Sequence, residues 1–368
     1  MVGNKALRLI RIGLTAAMAA FLMATQPALA APAKIPVRVV VVTTFEIGAD
    51  TGDTPGEFQT WVEKLPLPNV LPFPTGNHVL RYNPRTHVLG LVTGSGSVNA
   101  AASVMALGLD PRFDLKKAYW VLAGIAGVDP NYATVGSAAW AEWVVDRDLT
   151  HEIDAREIPP DWSTGLVPLT RSKPFQAPPP DPGIFSPNAY HLNPGLTEWA
   201  FELTKGVKLD DTPDLKGIRA GYADYPEAAK PPTVLKGDEI TAMAWWLGGI
   251  ENKTAERWVD YWTGGKGRSV MSAMEDSGAA RSLQLLTKAG RADYDRFLVL
   301  RTASDFTVPP KGQTAAELLA SESSPDSATK LTAFLPSLAA AYRTASPVVI
   351  ELSTHWDRYE DHPPTAAP

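Results

Sequence analysis

Arg301-Thr302-Ala303-Ser304-Asp305-Phe306 directly follows the apolar run Phe297-Leu298-Val299-Leu300. A continuous apolar run of this kind fits a strand buried on both faces, as in a parallel sheet. Asp305 then lies just past the strand's carboxyl end, the edge where open α/β sheets collect ligands. A carboxyl held half out of water there is raised in pKa and can donate a proton. The competing reading of the position is a turn or helix-cap aspartate.

Met274-Glu275 offers a second chemistry. A carboxylate accepts from both hydroxyls of a vicinal diol, as ribose presents, and a thioether packs on a sugar or base face. The alternative is a solvated glutamate favoured by a helix start. Gly94-Ser95-Gly96 and Gly124-x-x-Gly127 each follow an apolar run. Such turns bring free backbone N–H groups close to an anion or a hydroxyl. Asn99 stands where the third glycine of a dinucleotide fingerprint belongs, so that motif is incomplete. Gly237-Asp238-Glu239-Ile240 reads as a strand end running into a helix, with Asp238 open to an N-cap role. Trp245 and Trp246 suit either the core or a stacking platform for a base.

These residues need a scaffold to bring them together. Val37 to Val42 is a β-branched run with the character of a central strand, ending at Thr43-Thr44-Phe45-Glu46. Val88–Val92 and Tyr119–Leu122 read as further strands, each entering a glycine turn, and Ala138–Val145 as a half-buried one. Helices are expected over Phe58–Lys64, the alanine-rich stretch to Leu109, Pro194–Thr204, Asp238–Gly248, Lys253–Thr263, Val270–Gly290, Gln313–Ser321 and Ser327–Thr344. Strand, glycine turn and helix recur, which predicts an α/β fold with a mostly parallel sheet. Residues 158–194 shift to proline, with Pro178-Pro179-Pro180 at the centre. Trp162, Phe175, Phe185 and Tyr190 are too frequent there for a disordered tract, so an ordered surface excursion is expected, as a lid or an interface element.

The ends and the composition bound the rest. Lys5, Arg8 and Arg11, the apolar Ile12–Ala24 and the small-residue site Ala28-Leu29-Ala30 form a secretory signal pattern over residues 1–30, with an uncleaved anchor as the alternative. The expectation is a periplasmic or secreted protein whose residues 31–368 form a single domain. Hydrophobic residues make up 45% of the chain, enough for a large core. There is no cysteine, which removes disulfides and thiol catalysis. A net charge of −6 without a basic run argues against nucleic-acid polymers. The six histidines show no metal-ligand spacing, so neither a metal nor a cofactor is expected.

Taken in order, the segments Val92 to Ala101, Ala123 to Gly127, Val135-Gly136-Ser137, Leu235-Lys236-Gly237-Asp238, Met274-Glu275 and Arg301 to Asp305 resemble the nucleoside phosphorylase and nucleosidase superfamily. His151-Glu152-Ile153-Asp154-Ala155-Arg156-Glu157-Ile158-Pro159, Ser346-Pro347-Val348-Val349 and Trp356-Asp357-Arg358-Tyr359-Glu360 resemble its purine nucleoside permease family in particular. The resemblance implies a three-layer α/β/α nucleoside-phosphorylase-like fold, mostly parallel in its central sheet, with the proline-rich stretch as an insertion. It also implies a purine nucleoside as ligand and a homo-oligomer.

By the same resemblance Asp305, beside Ser304, faces purine N7, while Glu275 and Met274 hold the ribose. Gly94, Ser95, Gly96 and Gly124 line the pocket, and Asp238, Glu239 and Ile240 line the base. Nucleosidases carry a water-orienting glutamate after the first strand, and Glu46 is the candidate for it. Hexameric phosphorylases place a phosphate-gripping arginine two residues before the glycine matching Gly124, where this chain has Leu122. Hydrolysis of the nucleoside is therefore expected ahead of phosphorolysis. A receptor that delivers intact nucleoside to a membrane transporter is the rival reading.

Overall fold

The structure is a computed structural model, and it describes residues 33–181, 187–322 and 333–366. The signal pattern of residues 1–30 lies outside the described residues.

Val39–Thr43 and Val88–Val92 are buried at every position and pair in parallel. Their side chains alternate between two faces. Val40 and Val42 pack on one core, with Val104, Leu107, Leu283 and Leu286 from the helices Ser97–Leu109 and Asp276–Lys288. Val39 and Val41 pack on the other, with Leu196 and Ala200 of helix Pro194–Thr204 and with Ala345, Val348 and Leu352 of helix Phe334–Thr354. Helices thus cover both faces of one large sheet, giving the three-layer α/β/α arrangement. Gly278 allows the helix pair on the first face its close approach. A Cβ there would stand 2.1 Å from the carbonyl oxygen of Ser97, which is backbone and cannot move aside.

Among the described residues the sheet has twelve strands and mixes parallel with antiparallel pairing. Tyr119–Val128 is its axis. Along one edge it pairs in parallel with Phe297–Phe306 from Trp120 to Val128. Its other edge is shared between two strands. Val39–Thr43 pairs in parallel with Tyr119 to Leu122, and Ser269–Ala273 pairs antiparallel with Gly127 and Val128. Among the described residues no strand covers Ala123 to Ala126 on that edge, so the sheet forks there. One arm continues to Val88–Val92 and the antiparallel strands Leu80–Asn83 and Asn69–Leu71. The other continues to Asp238–Thr241, Trp143–Asp146 and Ala189–His191.

Several elements differ from the sequence expectation. Residues 270–290 are a buried strand, Ser269–Ala273, followed by a helix that starts only at Asp276. Ser269 to Ala273 is buried at all five positions, so sheet burial overrides the helical reading. Residues 238–248 open with strand Asp238–Thr241 rather than a helix. The Asp238 carboxylate accepts from the N–H groups of Glu142, Trp143 and Arg268, which is capping chemistry used to tie strand ends. Ala138–Val145 is two strands, Ala138–Ala141 and Trp143–Asp146, that pair with different neighbours. Of the helix expected over Ser327–Thr344, residues 327–332 lie outside the described residues; helix Phe334–Thr354 runs on through Pro347, because its buried stripe continues over Val348, Val349 and Leu352. Within the proline-rich excursion, Phe175 packs edge-on against Trp258, and the Arg257 guanidinium lies 4.1 Å from the Phe175 ring centroid. The excursion thereby lies on helix Gly249–Thr263.

Candidate active site

The fork leaves the backbone of Ile125 to be satisfied by side chains. Its N–H donates to Glu57 Oε1 at 2.7 Å, and its carbonyl accepts from Arg301 Nη1 at 2.9 Å. Glu57 Oε2 accepts in turn from the N–H of Thr44 at 2.6 Å and from its hydroxyl at 2.9 Å. Arg301, only 2% exposed, donates from Nε and Nη2 to the Asp276 carboxylate and from Nη2 to Glu275 Oε2 at 2.8 Å. Glu275 Oε1 accepts from the N–H of Gly96 at 2.8 Å. Gly124 makes room for this network. A Cβ at that position would stand 2.5 Å from both Arg301 Nη1 and Glu57 Oε1.

A cavity of about 240 Å³ opens at the fork. Glu57, Arg301 and Glu275 line one part of it, and Ser304 and Asp305 another. Met274, Ser95, Thr44, Phe45, Ile125, Ala126, Ala273 and Trp245 complete the wall. The register of Phe297–Phe306 against its neighbour slips between Ala303 and Asp305, a bulge that re-aims the side chains beyond it. Ser304 Oγ lies 2.6 Å from Asp305 Oδ1 and 3.1 Å from the Ala126 carbonyl. Asp305 Oδ2 is shielded from solvent and has no hydrogen-bond partner among the described residues.

Burial raises the Asp305 carboxyl from the ordinary aspartate value to about 6, against the lowering effect of the Ser304 hydroxyl. Burial also raises Glu57, to about 7, although Arg301 and the N–H groups of Thr44 and Ile125 oppose it. For Arg301 burial works against the charge, but Asp276, Glu275 and Glu57 outweigh it and raise its pKa. Two carboxyls poised near neutrality thus face one small cavity, the condition for general acid and base work.

Of the residues singled out in the sequence, Ser95, Met274, Glu275, Ser304 and Asp305 line the cavity. Gly96 touches it through its N–H on Glu275, while Gly124 and Gly127 lie within the continuous strand Tyr119–Val128 behind it rather than in the expected glycine turn, because that run stays buried in the sheet. Gly94 is outside the lining, packed near the Asn77 side chain. Asp238, Glu239 and Ile240 are also outside it. Asp238 ties strand ends, Ile240 is buried beside Trp258, and Glu239 accepts from the Ala273 N–H and the Thr241 hydroxyl. The strand they form keeps its polar groups inside the protein, away from the cavity. Glu46 braces its own loop, accepting from the N–H groups of Ile47, Gly56, Phe58 and Gln59. Those four donors occupy its carboxylate, and Glu57 stands in the cavity instead. The two tryptophans part company: Trp245, 37% exposed, borders the cavity, and Trp246 is buried.

The three-layer arrangement is the nucleoside-phosphorylase-like fold. A solved 5'-methylthioadenosine/S-adenosylhomocysteine nucleosidase from Colwellia psychrerythraea, in complex with adenine, has a TM-score of 0.50 and 14% identity. That comparison covers 86% of this chain and 94% of the nucleosidase chain. The chain belongs to the purine nucleoside permease (NUP) family, whose model matches residues 36–364. It is similar to a purine nucleoside permease of Candida albicans, 28% identical over 325 residues, or 87% of this chain and 76% of the relative. A probable purine nucleoside permease of Schizosaccharomyces pombe is 29% identical over 282 residues, or 74% of this chain and 78% of the relative. The function of the chain is nucleoside-related. No described helix is long and apolar enough to cross a membrane.

Proposed function

We propose that this protein binds a purine nucleoside in the cavity at the fork and hydrolyses its N-glycosidic bond to free base and ribose. The observation that carries the reading is the pairing of Asp305 and Glu57 in one cavity whose guanidinium, Arg301, is already held by Asp276 and Glu275. Protonated Asp305 gives its proton to N7 as the bond from C1′ to N9 breaks, so the purine leaves neutral. The bonding pair departs with the base, and the sugar becomes oxocarbenium-like. Glu57 takes a proton from a water, whose oxygen bonds to C1′. Glu275 accepts from the ribose hydroxyls and Met274 packs on the sugar. Asp305 ends ionised and Glu57 protonated, and exchange with solvent resets both. General acid help of this kind contributes about 10²–10⁴ in rate.

Phosphorolysis would need a cation free to hold phosphate, and among the described lining residues the charged donor is the committed Arg301. The test is incubation of the protein with inosine and adenosine, with and without phosphate. Base and ribose formed without phosphate are expected. Ribose 1-phosphate formed only with phosphate, or binding with no product, would overturn the proposal, and the second outcome would favour the receptor reading. The signal pattern of residues 1–30 supports placing this activity outside the cytoplasm, where it would serve nucleoside uptake. Cell fractionation checks that placement.

A further inference from the structure

The Trp356–Glu360 segment takes no part in the cavity at the fork. It helps enclose a second cavity of about 360 Å³, where Trp356, Glu360, Arg38, His87, Lys116 and Lys117 meet. Arg38 directly precedes strand Val39–Thr43 and Lys117 lies just before Tyr119, whereas Thr44 of the fork cavity follows the same strand's far end. A five-residue strand separates the two places by roughly 16 Å.

The chemistry of this cavity is cationic and incompletely paired. The Arg38 guanidinium lies 6.0 Å from the Trp356 ring centroid and donates from Nη1 to the Ser353 carbonyl at 2.7 Å. Neither Arg38 nor Lys116 has a carboxylate partner among the described residues. Lys117 differs, with Glu360 at 3.0 Å and Asp361 at 2.8 Å. A half-buried guanidinium keeps five N–H donors in a fixed fork, so most of those on Arg38 lack a protein acceptor. Asp114 at the rim is the remaining acid. His87 holds a left-handed backbone at φ 56°, and its Nδ1 lies 2.8 Å from the Tyr82 hydroxyl. Unpaired cations beside an indole suit an oxyanion carried on a small organic body.

We propose that this cavity is a second ligand site that takes a small phosphate monoester. The oxyanion meets Arg38 and Lys116, and the carbon part lies against Trp356. The site is independent of the reaction proposed at the fork. Calorimetric titration of the full chain with ribose 5-phosphate, and separately with inorganic phosphate, tests it. Saturable binding of ribose 5-phosphate is expected, weakened at least about tenfold by R38Q and by K116Q and unchanged by D305N. K116Q alters an exposed side chain and so guards against loss of folding in R38Q. No saturable binding, or binding equal in both cation variants and the parent, overturns the proposal. A change of binding in either direction in D305N assigns the ligand to the fork and also overturns it. Inorganic phosphate binding as tightly as the ester, with W356F silent toward both, overturns the monoester assignment.

Discussion

Replacing Asp305 with asparagine should make the protein a poorer enzyme and, as pH rises, a relatively more stable one. The folded-state pKa of Asp305 is raised from 3.8 to about 6 because the carboxyl is buried. A carboxyl whose folded pKa lies above its unfolded value is destabilising when ionised. The penalty is absent below about pH 4, grows as pH rises through the interval, and is complete above about pH 6. A shift of about two units corresponds to roughly 3 kcal/mol, and solvent reaching the half-buried side chain reduces this to about 2 kcal/mol. The D305N variant carries no such pH dependence. Its amide nitrogen, facing the position of the unpartnered Oδ2, adds a cost that is the same at every pH. The assay is urea unfolding of both proteins from pH 4 to pH 7, with the difference plotted against pH. That difference should shift in the variant's favour by about 2 kcal/mol. Turnover of inosine should fall at least about a hundredfold. A flat difference refutes the burial of the charge, and turnover within about tenfold of the parent refutes Asp305 as the acid.

Glu57→Gln keeps the shape at Ile125 but removes the base, and turnover should drop about a hundredfold in a steady-state assay. With an acid at about 6 and a base at about 7, kcat/KM should follow a bell centred at about pH 6.5. E57Q should lose the acidic limb of that bell. Glu275→Gln keeps an acceptor for the Gly96 N–H but breaks the pair with Arg301. KM for inosine should rise about tenfold or more, and less for 2′-deoxyinosine, since one of the gripped hydroxyls is missing. An equal rise for both would place the ribose elsewhere. Arg301→Met strands the buried Asp276 and Glu275 carboxylates, and should cost about 3–5 kcal/mol in chemical denaturation. A loss below about 1 kcal/mol would mean that the network is not holding the fold.

The parts of the site legible in the sequence are those carried by apolar strand ends. Phe297–Leu300 announces a buried strand, but the strand runs on to Phe306 and holds Asp305 within it, past the bulge, rather than beyond its end. Met274-Glu275 follows a strand as well, but that strand is hidden: Val270 to Ala273 joins smoothly onto the alanine- and leucine-containing helix behind it, and periodicity cannot separate a short buried run from a helix. Glu57 escapes the sequence reading for a different reason. Both Glu46 and Glu57 flank the same glycine- and proline-rich loop, and which one reaches the cavity depends on how the loop closes. Glu46 is consumed by the loop's own N–H groups, leaving Glu57 to meet Ile125. The one available signal is a glutamate directly before Phe58, where helix Gln59–Lys64 begins. Asp238 and Glu239 show the converse. Their charge suggests a ligand, yet three backbone donors claim the first, and burial raises the pKa of the second, with Asp276 reinforcing the rise. Nothing local distinguishes such a structural carboxyl from a functional one.

The charge balance at the fork bears on which nucleophile the cavity accepts. Arg301 is opposed by Asp276 and Glu275 in direct contact, with Glu57 at 4.0 Å. Asp305, at about 6, is largely ionised at pH 7, and Glu57, at about 7, is about half so. The surplus at neutral pH is negative. A sugar acquiring positive charge about 5 Å from one of these carboxylates gains roughly 3 kcal/mol at an effective dielectric of about 20. A phosphate dianion entering the same space meets the interaction with its sign reversed and doubled. Water carries no charge and pays none of that repulsion, so the surroundings that favour an oxocarbenium ion also select its attacker. Adding phosphate to about 50 mM should then leave the initial rate with inosine unchanged within about twofold. Acceleration proportional to phosphate would show that a cation other than Arg301 reaches the cavity, and the choice of water over phosphate would fall with it.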